Sequence, residues 1–147
     1  MLLLTSDWHL RGKDIGVMPG ILEQFEAKVI ESGVTLILHA GDMLDRGNIH
    51  DSHGGTGPIV KPVIDMMKRL THRGVEWVIL RGQHDMNEKS GNDGLPVFEG
   101  IEGVRIVREP ELIVCQELKI LCLPWMWNSH LSALSHAMEL FGDAGGL

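Results

Sequence analysis

Three times in this chain a hydrophobic run stops at a short cluster of carboxylate and imidazole side chains. Ser6-Asp7-Trp8-His9 follows Leu2–Thr5, Gly41-Asp42-Met43-Leu44-Asp45-Arg46-Gly47 follows VTLILHA, and Arg81-Gly82-Gln83-His84-Asp85 follows VEWVIL. Rigid strands with ligands projecting from the loops beyond them are how an α/β protein builds a metal site. Asp7 and His9 are two residues apart, so on an extended chain their side chains fall on the same side. Asp42 offers two carboxylate oxygens, enough to bridge two divalent ions. Mixed oxygen and imidazole donors suit Mn²⁺, Fe²⁺ or Zn²⁺ better than Ca²⁺ or Mg²⁺. Gly41 and Gly82 permit sharp turns and close backbone approach just ahead of the ligands.

The segments between the clusters carry readable periods. Residues 2–5 are expected to form a buried strand. From Gly20 to Ser32, Ile21, Phe25 and Val29 recur every four residues with Leu22 and Ile30 beside them, which predicts an amphipathic helix. The continuous apolar run over 34–39 predicts a buried parallel strand. A second helix over about 57–72 would bury Val60, Val63, Ile64, Met67 and Leu70, and 75–80 supplies a third strand. This alternation predicts right-handed parallel crossovers with the ligands at the carboxyl ends of the strands. Past Gly94 the pattern changes to short strands near 104–107, 111–115 and 118–123, then a helix over about 129–141.

The stretches LTSDWHL, HAGDMLDRG and LRGQHD resemble the first three motifs of the calcineurin-like metallophosphoesterase superfamily, over roughly residues 1–125. Within it, SDWHL and the context of the other two motifs are most similar to the SbcD-type DNA exonucleases, while GDxxDRG is shared with protein phosphatases. The resemblance implies that Asp7, His9 and Asp42 are metal ligands, with Asp42 bridging, and that Gln83 stands at a ligand position usually held by Asn. It implies that His84 is the catalytic histidine, that Asp45 orients it, and that Arg46 touches the phosphate. The implied fold is α/β, a β-sandwich flanked by helices. Residues 1–147 would form a single, incomplete domain, its front half. The implied cofactor is a divalent metal, Mn²⁺ first, with two ions for a two-metal phosphodiester hydrolysis if the site is completed and one otherwise.

Two departures bear on that count. Gln83 keeps the carbonyl oxygen of Asn but adds a methylene and a rotor, so a second ion should bind more weakly unless the loop shifts. The superfamily's later lone histidine and its Gly-His-x-His motif do not occur in this sequence. His130 and His136 are no substitute: six residues apart on a helix is about 120° of rotation, so they do not share a face. A single ion held by Asp7, His9 and Asp42 is the expectation.

Composition sets outer bounds. A chain of 147 residues with 44% hydrophobic and 22% charged residues is one globular domain by size and balance. MLLL is too short and too soon interrupted by Asp7 to be a secretory signal, and no apolar run is long enough to span a bilayer, so a cytoplasmic protein with no membrane contact is expected. Cys115 and Cys122 fall on a hairpin turning near Gln116-Glu117, where Cys115 would oppose Leu118 and Cys122 would oppose Glu111, leaving both reduced. His39 is read as an ordinary strand residue, and His50, Asp51 and His53 as solvated side chains of a Gly-rich loop. Trp8 either lines a substrate entrance or packs, while Trp125 and Trp127 are core and rim contacts.

Three functions fit. The first is an exonuclease subunit acting on DNA ends with an SbcC-type ATPase partner. The second is a phosphoesterase for small molecules or proteins, and the third a weakly catalytic module for binding or assembly. The net charge of −7 argues against a broad DNA groove, unless a partner supplies the grip. An apolar sheet face left for missing strands would drive homodimer formation or packing on another chain.

Overall fold

A parallel sheet needs a crossover between successive strands, and two amphipathic helices provide the first two. The computed structural model describes residues 1–45, 57–87, 92–115 and 118–126, together with helical positions 132, 135, 138, 139 and 142. Strands β1 (Leu2–Thr5), β2 (Leu36–His39), β3 (Glu76–Leu80) and β4 (Val104–Val107) form one sheet in that spatial order, every pair parallel. Helix α1 (Met18–Glu31) joins β1 to β2, and α2 (Gly57–Thr71) precedes β3. Strands β5 (Glu111–Cys115) and β6 (Leu118–Cys122) form a separate antiparallel pair. No helix among the described residues is long and apolar enough to cross a membrane.

Side chains alternate across the sheet, so β2, β3 and β4 each feed two cores. Ile37, Trp77 and Ile79 point to the helical face, where they meet Leu22 and Val29 of α1 and Val63, Met66, Met67 and Leu70 of α2. Each such side chain, fully buried, contributes roughly 1.5–3 kcal/mol. Leu36, Val78 and Val107 point the other way and pack on Ile113 and Cys122 of the hairpin. Leu2 and Leu4 pair in register with Leu36 and Leu38, yet stay 41% and 64% exposed, because the hairpin does not reach β1.

The helices differ in detail from the periodic reading. α1 begins at Met18, with Pro19 in its first turn, a position where a missing N–H is harmless. Its buried stripe is Met18, Leu22 and Val29, with Phe25 half-buried against the core, while Ile21 and Ile30 are 55% and 43% exposed. In α2, Met66 is buried and Ile64 only partly so. The hairpin register places Cys115 opposite Leu118 and Glu111 opposite Cys122, as its sequence predicts. Cys122 is a buried free thiol, its pKa raised chiefly by burial and then by Glu111.

Candidate metal centre

The loops leaving β1 and β2 stay paired after the sheet ends. The N–H groups of Asp7, His9 and Leu10 donate to the carbonyls of Gly41, Asp42 and Met43, each at 3.0 Å. That pairing holds Asp7, His9 and Asp42 at φ values of 57°, 43° and 58°, the only non-glycine residues with positive φ among the described residues. Such backbone costs about 1–2 kcal/mol per residue and persists only where surrounding contacts hold it. Asp7 and His9 are therefore not neighbours on an extended chain, as a period-two reading has it. Their left-handed backbone brings Asp7 Oδ1 to 3.7 Å from His9 Nε2.

The loop after β3 locks onto the second loop through a missing side chain. A Cβ at Gly82 would collide with the backbone nitrogen and carboxylate of Asp42, so only glycine lets the two loops touch. The His84 N–H then donates to Asp42 Oδ1 at 2.8 Å. From this contact arises a trio: one donor atom each from His9, Asp42 and His84 lies within 4.8 Å of the others. The imidazoles of His9 and His84 meet edge to face, with centroids 4.8 Å apart.

The other residues singled out in the sequence stand around this trio. Asp7 is outside it, its side chain 66% exposed, with His9 as its neighbour. Gln83 is exposed and lines an open cleft of about 560 Å³ together with Asp7, Asp42, Arg81, Trp125 and Met126. Asp45 faces His9 Nδ1 at 3.9 Å and Arg11 Nε at 3.0 Å. The orienting role expected for Asp45 toward His84 has no contact behind it among the described residues; its imidazole neighbour is His9. Arg46 lies outside the described residues, as do His50, Asp51, His53, Trp127, His130 and His136.

Several supporting residues escaped the sequence reading. Asp85 is fully buried and accepts N–H groups from both adjoining loops. Burial raises its carboxyl pKa, and the amides of Leu44 and Gly82 oppose that shift. Arg11 reaches Asp45 beside His9 without hydrogen-bond alignment at Nε. Arg81 is a strut for the cleft wall: its guanidinium donates to the carbonyls of Trp125 and Arg108, and its own carbonyl accepts the Trp125 N–H at 2.7 Å.

Two aromatic positions resolve as packing. Trp8 donates its Nε1–H to Thr5 Oγ1 at 2.7 Å and meets Phe25, His39 and Trp77 edge-on, so it braces the core. His39 is buried beside it, with Nδ1 accepting the Gly41 N–H at 3.3 Å. Desolvation lowers its pKa to about 4, against a smaller opposing effect of Asp7, so His39 is neutral at ordinary pH.

Do these donors fit a divalent cation? The Asp42 carboxylate and the His9 imidazole, with the Asp7 carboxylate 3.7 Å from His9 Nε2, are a borderline oxygen and nitrogen set, which first-row divalent metals accept. The 4.8 Å limit on donor spacing is close to the span of two ligands across such an ion, about 4 Å. His9 Nδ1 is buried and has no hydrogen-bond partner. The set fits.

A family model for calcineurin-like phosphoesterases matches residues 1–132. The chain belongs to the calcineurin-like phosphoesterase family. Among solved structures, that of Pseudomonas putida nuclease MPE aligns at a TM-score of 0.50 and 24% identity, over 76% of this chain and 50% of the other. This calcineurin-like chain thus spans half the length of that structure, and the likeness carries the fold. No curated protein matches it. The family works with divalent metals, which agrees with the donor chemistry of His9, Asp42 and His84.

Proposed function

We propose that this chain is a metal-dependent phosphoester hydrolase, with Mn²⁺ as the fitting ion and DNA phosphodiesters as the substrate class. The observation that carries the reading is the meeting of His9, Asp42 and His84 beside an open cleft, with His9 and Asp42 held in left-handed backbone geometry. His9 and Asp42, both partly buried, are assigned to the ion. His84 is the exposed member of the trio and is assigned to the phosphoryl group, as proton donor to the leaving oxygen. A bound divalent ion supplies Lewis acidity and a lowered water pKa at such a site. Arg11, half-exposed and paired with Asp45, adds positive charge next to His9.

The DNA assignment rests on the SDWHL context and on similarity to a structure described as a nuclease. With a net charge of −7, much of the DNA affinity would come from a partner, an ATPase of the SbcC type. The uncovered β1 edge, with Leu2 and Leu4, is where we place a second polypeptide. A monodisperse monomer by light scattering at micromolar concentration would remove that part.

The test is Mn²⁺-dependent hydrolysis of bis(p-nitrophenyl) phosphate by the wild type and by His84→Ala. Loss of about 10²–10⁴-fold in kcat, with Mn²⁺ binding retained, supports the assignment. Equal rates in the two proteins select a second reading, a module for binding or assembly.

A further inference from the structure

Among the described residues, Asp85 is the one acidic side chain withdrawn entirely from solvent. Its Oδ1 accepts the Leu44 N–H at 2.8 Å, and its Oδ2 accepts the N–H groups of Asp42 at 3.0 Å and Gly82 at 2.7 Å. Two of these donors belong to the loop after β2 and one to the loop after β3. Asp42 in turn uses its own carboxylate to accept the N–H of His84, the residue covalently joined to Asp85. The two loops are thus closed into a ring: the Asp85 carboxylate on the Asp42 amide, the Asp42 carboxylate on the His84 amide. A buried carboxylate lacking an acceptor's share of donors is expensive, and three amides are what hold this one in place.

We propose that Asp85 is a positioning residue, whose buried carboxylate sets the Asp42 side chain and the His84 backbone at the spacing a divalent cation needs. It touches neither substrate nor ion and acts through Asp42. Its consequence for metal binding rests on the function proposed above, whereas the ring itself does not.

Asp85→Asn separates these levels. The amide has the same shape, so no cavity opens, but its NH₂ group must face at least one backbone N–H that now has no acceptor. The His84 amide is the informative probe, because Asp85 does not bond to it. In the metal-free full chain, Asp85→Asn is expected to speed hydrogen exchange at His84, Asp42 and Leu44 by about tenfold or more. Affinity for Mn²⁺ alone, by calorimetry, should fall by about 10–100-fold, as for other residues that orient ligands. Leu70→Ala, a core change remote from the loops, is the control. It should lower the unfolding temperature without moving either readout.

Unchanged His84 exchange in Asp85→Asn, or an equal shift in Leu70→Ala, would overturn the proposal. Faster His84 exchange in a protein whose wild type takes up no Mn²⁺ would leave the ring standing and remove the metal reading instead. Should Asp85→Asn not fold, Asp85→Glu keeps both acceptor oxygens and displaces them by one methylene. It should give the same two changes, and their absence would again overturn the proposal.

Discussion

The two faces of the parallel sheet are covered very unequally. On one, α1 and α2 bury Ile37, Trp77 and Ile79 almost completely. On the other, among the described residues, the β5–β6 hairpin covers Leu36, Val78 and Val107, while Leu2 and Leu4 stay exposed. The candidate site repeats the contrast. Its inner side, where the loops after β1, β2 and β3 meet, is laced by main-chain bonds and by Asp85. Its outer side is an open cleft whose wall hangs on Arg81 and Trp125. Left-handed backbone at Asp7, His9 and Asp42 needs a rigid surround, and the helix-covered side provides it. Donors are fixed where the core is closed, and the cleft opens where it is not.

The sharpest way to break this comparison is to damage both faces alike. Trp77→Ala should lower stability by about 3–5 kcal/mol in urea unfolding, enough to abolish folding in a marginal domain. Leu4→Ser, on the uncovered face, should change it by less than about 0.5 kcal/mol. A large loss from Leu4→Ser would mean that β1 is covered in solution.

Next in size is a pH effect from the closed face. Burial holds the His39 pKa near 4 in the folded protein, below the ordinary 6.5, so the unfolded chain takes up a proton first as pH falls. The contribution of neutral His39 is complete above pH 6.5 and is lost progressively toward pH 4, up to about 3 kcal/mol. His39→Phe should flatten that part of the stability profile between pH 7 and 4. A profile as steep as that of the wild type would show that other groups carry the acid sensitivity.

The smallest effect belongs to the outside of the helices. Arg69 grips Glu26 with three hydrogen bonds from Nε and Nη2, lowering the carboxyl pKa and joining α2 to α1. The Arg69 guanidinium is half-exposed, so Arg69→Ala should cost about 1 kcal/mol, and less in high salt. A thermal melt at two salt concentrations reads this directly.

How far the sequence reaches is visible residue by residue. Among the described residues, the apolar runs and turn residues locate the six strands and the two crossover helices to within two residues or so, and the hairpin pairs in the register its sequence predicts. The buried stripe of α1 is ambiguous in sequence at Ile21 and Ile30, because two apolar rows run along that helix and only the position of α2 and the sheet selects one. The geometry of Asp7 and His9 is hidden because the sign of φ there comes from pairing with Gly41 and Asp42, more than 30 residues away. Asp85 sits inside a legible motif. Its role is not legible, since it depends on amide donors at Asp42 and Leu44. Arg11 was passed over for a related reason: only the folded loops bring it to Asp45.

The central claim is that the closed side of the site holds a divalent ion through Asp42. Calorimetric titration of the wild type and Asp42→Ala with Mn²⁺ tests it most directly. Saturable binding by the wild type at one ion per chain is expected, with loss of that binding in Asp42→Ala and both proteins folded by circular dichroism. No uptake by the wild type, or equal uptake by Asp42→Ala, would contradict it.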